Sequence, residues 1–213
     1  MKLIAPVILL SVFFASNASA LCNPIRTKIE IITKPGNVEY ITKYSRDEFI
    51  KLSPTKVSPN TMGLTVTRLG AKGSAEGYLK NNGMTACVGL EKVVVTIGYD
   101  TLIVYIDKKY KPGSCEYEVI KDHEDYHVSV SQQAMAFFKK DIEKAIKSAV
   151  DALSVHEVRH QAEANQVVED QLNQVISGLN PLMKHINQKI AEKNYIIDTP
   201  ESYRETSRKC RNW

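Results

Sequence analysis

His123-Glu124-Asp125-Tyr126-His127 sets two imidazoles four residues apart, with a carboxylate directly after the first. On a helix, positions i and i+4 lie one above the other on one face. Two rings so placed can take two corners of a zinc tetrahedron. Glu124 then stands where it could take a proton from a water at an open corner and pass it to a leaving amine. This H-E-x-x-H order suits metal-assisted hydrolysis, with His123 and His127 as zinc ligands and Glu124 as general base. A catalytic zinc commonly has a third protein ligand. The sequence offers His185, Asp198, Glu201 and Glu205.

Helical phase supports the first two ligands. With Val119 at 0° and ~100° per residue, His123 falls near about 40° and His127 near about 80°. Val130, Ala134, Phe137, Phe138 and Ala145 share that sector, so the rings are expected along a buried stripe. Imidazoles on an apolar face need partners, and a metal supplies them. Glu124 is expected at the rim, where water can reach it. The oxyanion donor is open among Tyr126, Tyr195 and Tyr203, with Tyr126 expected against the core. A second H-E-x-x-H, His156 to His160, falls away from the apolar stripe of its expected helix. Arg159 adds a charge that opposes a cation, and this copy reads as a solvated helix face.

Positioning these groups requires a helix, and the chain supplies one after Lys111-Pro112-Gly113. Ser114 is a suitable N-cap, and Cys115 to about Val150 contains neither proline nor glycine. A second helix is expected from about Ser154 to Ser177. Gly178 ends it and Pro181 opens a third. If the first two turn back near residue 152, His185 returns to the level of His123 at about 1.5 Å per residue. Asp198, Glu201 and Glu205 belong to a polar tail. Residues before 112 have a strand period instead. Lys28 to Thr33 and Val38 to Lys43 flank Pro35-Gly36-Asn37 as a hairpin signal. Residues 53–60 and the glycine-rich stretch 70–83, with Asn81-Asn82-Gly83, read as loop and turn. Val93 to Ile97 and Thr101 to Ile106 are the strongest strands, with Gly98-Tyr99-Asp100 as a turn between them. The expected fold is α+β: an N-terminal, mostly antiparallel β-region (21–112), then a long motif helix and a C-terminal helical hairpin (113–213) in a single domain.

Residues 1–20 stand apart. Lys2, the apolar run from Leu3 to Ala15 and Ala18-Ser19-Ala20 form a secretory signal pattern. The run is about thirteen residues, shorter than the ~20 that span a bilayer, so no membrane anchor is expected in the mature chain. Cys22 follows Leu21 rather than the small residue that lipidation signals have. An exported chain with Cys22, Cys87, Cys115 and Cys210 is expected to form two disulfides. Cys87–Cys115 and Cys22–Cys210 are the favoured pairs. Without a C-x-x-C pair, a four-cysteine zinc site is disfavoured. The net charge of +4 is too small to suggest a nucleic-acid partner.

A secreted β-region, a Gly-Ser-Cys turn and then His123-Glu124-x-x-His127 resemble the zincin class of metallopeptidases. The arrangement is also similar to a family of uncharacterised bacterial secreted proteins predicted to be zinc-dependent proteases. In that family the motif helix is followed by a second long helix and an aspartate-containing tail with Tyr-Asp, then Thr-x-His-Gly. Here the tail has Tyr195, then Asp198-Thr199-Pro200-Glu201-Ser202-Tyr203, and lacks that histidine and glycine. The resemblance implies a zincin-like fold, a zinc cofactor and a periplasmic or extracellular enzyme acting on peptides or proteins. It also implies a β-edge that binds extended substrate. The alternatives are a catalytically inactive zinc- or peptide-binding envelope protein, and a structural protein whose long helices pack on a partner.

Overall fold

The computed structural model describes residues 22, 25–53, 61–81, 85–211 and 213. The signal sequence, most of the 53–60 loop and the Asn82-Gly83 turn lie outside the described residues.

One strand organises the sheet. β3 (Gly63–Asn81) and β4 (Ala86–Ile106) pair antiparallel along their whole lengths. The other edge of β4 is tiled end to end by three short strands. β5 (His156–Val158) pairs antiparallel with Ala86 to Val88. β1 (Lys28–Lys34) pairs parallel with Lys92 to Gly98, and β2 (Glu39–Ile41) pairs parallel with Ile103 to Tyr105. The sheet is therefore mixed, and the expected mostly antiparallel region over 21–112 is corrected: β1 and β2 run parallel to β4, and only β3 pairs with it antiparallel within that region. The expected hairpin about Pro35-Gly36-Asn37 is absent because β1 and β2 each pair with β4 instead of with each other. Gly36, at φ +84°, bends the chain beside Tyr99 without reversing it; a Cβ there would lie 2.9 Å from that of Tyr99.

β4 stays single because two bulges keep its phase. Its inward set is Val88 and Leu90, then Val93, Val95, Ile97 and Tyr99, then Leu102, Val104 and Ile106. The parity changes at Glu91 and again at Asp100. Both residues are skipped in the register with β3, where Glu76 and Gly77 pair with Lys92 and Leu90, and Arg68 and Leu69 pair with Thr101 and Tyr99. One extra residue sends every later side chain to the opposite face unless a bulge absorbs it. The expected turn at Gly98-Tyr99-Asp100 is the second of these bulges. Residues 70–81 likewise continue β3 rather than turning. Their glycines make room for a helix: a Cβ on Gly77 would stand 2.3 Å from Val168 Cγ2.

The helical half also departs from expectation. α1 (Arg46–Phe49) is one turn, fixed by a capping box between Ser45 and Glu48. α2 (Cys115–Phe137) is capped at Phe138 instead of running to residue 150, and α3 (Lys139–Asp151) follows directly. Phe138, at φ −87° and ψ 7°, leaves the helical region. The break lets α3 bury Ile142, Ile146 and Val150, while Phe137, expected in the core, is 80% exposed. α4 (Gln161–Gly178) begins later than expected because His156 to Val158 form β5. α5 (Asn180–Tyr195) follows, then α6 (Pro200–Arg208) in the tail that had read as merely polar. Thr199 caps α6, its hydroxyl accepting from the Ser202 amide at 3.1 Å, with Pro200 at the first turn. α2, α4 and α5 lie over β3 and β4, and α3 packs against α4 and α5. Their apolar sides enclose one main core with the inward face of β4.

The cysteines pair as Cys22–Cys87 and Cys115–Cys210, which corrects both favoured pairings. The first bond ties the N-terminal segment to the start of β4. The second joins the first residue of α2 to the chain just beyond α6. Among the described residues, no helix is long and apolar enough to cross a membrane.

Candidate metal centre

Three separate features place the candidate ligands. Ser114 caps α2, accepting from the Tyr117 amide at 3.2 Å, and the helix carries Glu124 against Thr65 of β3 and His123 and His127 toward Asp198. The α5–α6 connection brings Asp198 across those rings. The Cys115–Cys210 bond then holds the far end of α6 against the first turn of α2, so the segment bearing Asp198 and Tyr203 is fixed at both ends.

The donor atoms form a nearly equilateral triangle. His123 Nε2 lies 3.2 Å from Asp198 Oδ1, His127 Nε2 lies 3.3 Å from the same oxygen, and the two Nε2 atoms are 3.3 Å apart. Ligands at about 2.0–2.1 Å from a tetrahedral zinc stand about 3.3–3.4 Å from one another. The three atoms thus have the spacing of one tetrahedral face. Among the described residues, this is the only cluster of three His, Cys, Asp or Glu groups with such spacing. The histidine side chains are 10% and 9% exposed and that of Asp198 is 37% exposed.

Charge at the site favours a cation. Burial raises the Asp198 pKa, but hydrogen bonds from His123 and His127, the charge on His127 and a hydrogen bond from Tyr203 outweigh it and hold the carboxyl well below its ordinary range. Burial pushes the His127 pKa down, yet bonding to Asp198 and the Glu124 and Asp198 charges leave it raised. His127 Nδ1 and Asn194 Oδ1 are both buried without a hydrogen-bond partner, and Asn194 is among the groups that raise the His127 pKa. An Nδ1–H turned toward an amide oxygen is the usual orientation device for a metal-binding histidine.

Glu124 is not at a wet rim, as its helical phase suggested. It is only 4% exposed, and burial, its largest influence, raises its pKa. Thr65 Oγ1 donates to its Oε2 at 2.7 Å. Gly63 makes room for it: a Cβ there would lie 2.7 Å from Oε1 and 2.8 Å from Ile120 Cγ2. The next residue, Asp125, accepts from Tyr40 at 2.5 Å and from Lys121 at 2.6 Å, which ties α2 to β2.

Of the four candidate third ligands, only Asp198 reaches the histidines. The ring of His185 packs against Phe138 with centroids 5.6 Å apart. Glu201 and Glu205 are exposed on α6, and Glu201 pairs with Arg204. Tyr203 is the tyrosine at the centre. It donates to Asp198 Oδ1 at 3.1 Å, and its ring lies 5.4 Å from that of His123. Tyr195 is 74% exposed, and Tyr126, expected in the core, is half-exposed. The second H-E-x-x-H is not helical. His156 and Glu157 lie on β5, and His160 precedes α4, at the end of β4 remote from the centre. His156 and His160 therefore lie apart from His123. The α6 cap, Thr199-Pro200-Glu201, was a local signal that could have turned attention to Asp198.

No protein-family model, curated protein or solved structure matches the chain.

Proposed function

We propose that the protein is an exported zinc-dependent peptidase, with zinc held by His123, His127 and Asp198 and Glu124 as general base. The observation that carries this reading is the three-donor triangle beside a buried carboxylate. A bound zinc ion would supply Lewis-acid polarisation of a peptide carbonyl and of a water. Glu124 accepts the proton of the attacking water. The water oxygen bonds to the carbonyl carbon, the C–N bond breaks, and the same proton goes to the amine nitrogen. Thr65 and Gly63 hold Glu124 in place, and burial makes it a stronger base than a solvated glutamate. Tyr203 is suited to steady Asp198 or to donate to the developing oxyanion. The resemblance of the motif to zinc metallopeptidases points the same way. The two disulfides suit an oxidising compartment.

A second reading is a zinc-binding envelope protein without turnover. It is favoured by the burial of Glu124 and its hydrogen bond to Thr65. Zinc content and proteolysis separate the two. The oxidised mature chain is expected to retain about one zinc through dialysis, and His127→Ala and Asp198→Ala to lose it. Glu124→Gln is expected to retain zinc and lose at least ~10²-fold of casein hydrolysis. Wild-type zinc content no higher than that of Asp198→Ala would overturn the metal centre. Zinc without hydrolysis would leave the binding reading.

A further inference from the structure

We propose that the cavity between β1, the end of α3 and α4 binds a small uncharged amide carried on an apolar body. The proposal goes beyond the peptidase reading and does not rest on it, since no residue of the candidate metal centre lines this cavity. The tiling of β4 creates the space. β5 pairs as far as Val88 and β1 begins at Lys92, so no described strand pairs with Gly89 to Glu91 along the edge that β1 and β5 share. The cavity opens there and encloses about 870 Å³. Ile29, Leu90, Val150, Leu153 and Val155 give it apolar walls. Its charged side chains are Arg26, Lys28, Lys147, Glu143 and Asp151, all exposed, with Lys147 paired to Asp151. Such a mixed rim selects neither an anion nor a cation.

Two unmet polar atoms identify the ligand. Gln171 is 2% exposed, and its Oε1 is buried without a hydrogen-bond partner. Its Nε2 donates to the Ser154 carbonyl at 2.6 Å. A carbonyl only accepts, so this bond fixes the side-chain amide with Oε1 as the open atom. Tyr78 Oη is likewise buried and unpartnered. Its ring lies against Gly89, where a Cβ would stand 2.8 Å from Cε1 and 2.9 Å from the hydroxyl oxygen. Gln171, Ser154, Tyr78 and Gly89 all line the cavity. Buried polar atoms without partners are rare and destabilising, and a bound molecule is one of the few explanations for them. Gln171 Oε1 needs a donor, and the Tyr78 hydroxyl needs an acceptor. A carboxylate has no proton for Gln171, and an ammonium leaves the Tyr78 proton unmet. An amide N–H and C=O supply both, on two separate atoms, and the apolar walls take the body that carries them.

The test is calorimetric titration of the oxidised mature chain with octanamide, N,N-dimethyloctanamide and octanoate. Octanamide is expected to bind at least about tenfold more tightly than either, because it alone brings a donor to Gln171. Equal binding of the two amides means apolar partition alone and overturns the proposal. So does tighter binding of octanoate, which would make the rim a site for anions. No binding of any probe also overturns it, the unmet atoms then being served by water. Tyr78→Phe is expected to weaken octanamide about tenfold and to leave the urea midpoint unchanged or higher, since it deletes an unbonded oxygen. Gln171→Met is expected to abolish the preference over the dimethyl amide. A preference that survives both changes overturns the proposal. If Gln171→Met fails to fold, having lost its bond to Ser154, Tyr78→Phe decides alone. Acetyl-leucinamide, titrated in parallel, separates a peptide source of the amide from an alkyl one by which binds more tightly.

Discussion

The two disulfides provide an internal control for what positions Asp198. Cys22–Cys87 closes a separation of 65 residues and Cys115–Cys210 one of 95, and the two loops do not overlap. Chain entropy alone assigns them about 4.3 and about 4.7 kcal/mol. Replacing either pair by serine should therefore lower unfolding free energy by nearly the same amount, within about 0.5 kcal/mol. Their effects on metal should differ. Cys115–Cys210 holds α6, and with it Asp198 and Tyr203, against the helix that bears the histidines. Cys22–Cys87 lies at the opposite end of β4. The Cys115→Ser/Cys210→Ser protein is expected to bind zinc about 10–100-fold more weakly, as when a ligand loses its support. Cys22→Ser/Cys87→Ser should retain wild-type affinity. The assay is chelator competition at low temperature, corrected for the folded fraction from urea titrations of the same samples. Equal weakening in the two variants, or none in either, would refute the argument that this disulfide builds the site.

Asp198→Asn should weaken zinc binding while His185→Ala leaves it unchanged in the same competition assay; the reverse order would reinstate His185 as the ligand. Asn194→Ala should reduce zinc affinity about tenfold without changing the number of ions bound, by removing a buried amide that acts on His127. Tyr99, buried and donating to the Ser131 carbonyl at 3.0 Å, is pushed up to about 12 by burial. Its folded pKa lies above the unfolded value near 10, so its share of stability is complete below pH 10 and is lost between 10 and 12, by roughly 2–3 kcal/mol. Tyr99→Phe should flatten that part of a pH–stability profile measured by urea denaturation. Gly77→Val should destabilise by about 1–3 kcal/mol, because Val168 occupies the space a side chain would need; an unchanged urea midpoint would contradict that packing.

The motif was legible because its chemistry is local: four residues of helix bring His123 and His127 together whatever surrounds them. Asp198 was visible only as one of four donors, because nothing within the sequence spacing says which distant segment crosses α2. The strands of β4 were correctly located but wrongly divided. A phase change at Gly98-Tyr99-Asp100 signals a turn and a bulge equally well, and only the continuous partner β3 decides between them. The glycines of β3 misled in the same way, since Val168 lies ninety-one residues beyond Gly77. His156 to Val158 had helical neighbours, yet hydrogen bonding to the start of β4 outweighed propensity. The cysteine pairing failed for the reason that cysteine spacing fails generally: four thiols permit three connectivities, and the fold chooses.

With all four of its neighbours attached to β4, the order of assembly is constrained. β3 precedes it across a short connection and can zip onto it as soon as both have been made. β1 comes off the ribosome early but must wait until Lys92 to Gly98 exist before it has anything to pair with. Until then Lys28 to Lys34 is an unclaimed ribbon, and its lysines at both ends and Glu30 in between are the charges that discourage neighbouring chains from annealing to it. Closure of the N-terminal ladder is thus a late, long-range event, the class of step that slows refolding and exposes a chain to aggregation before it completes.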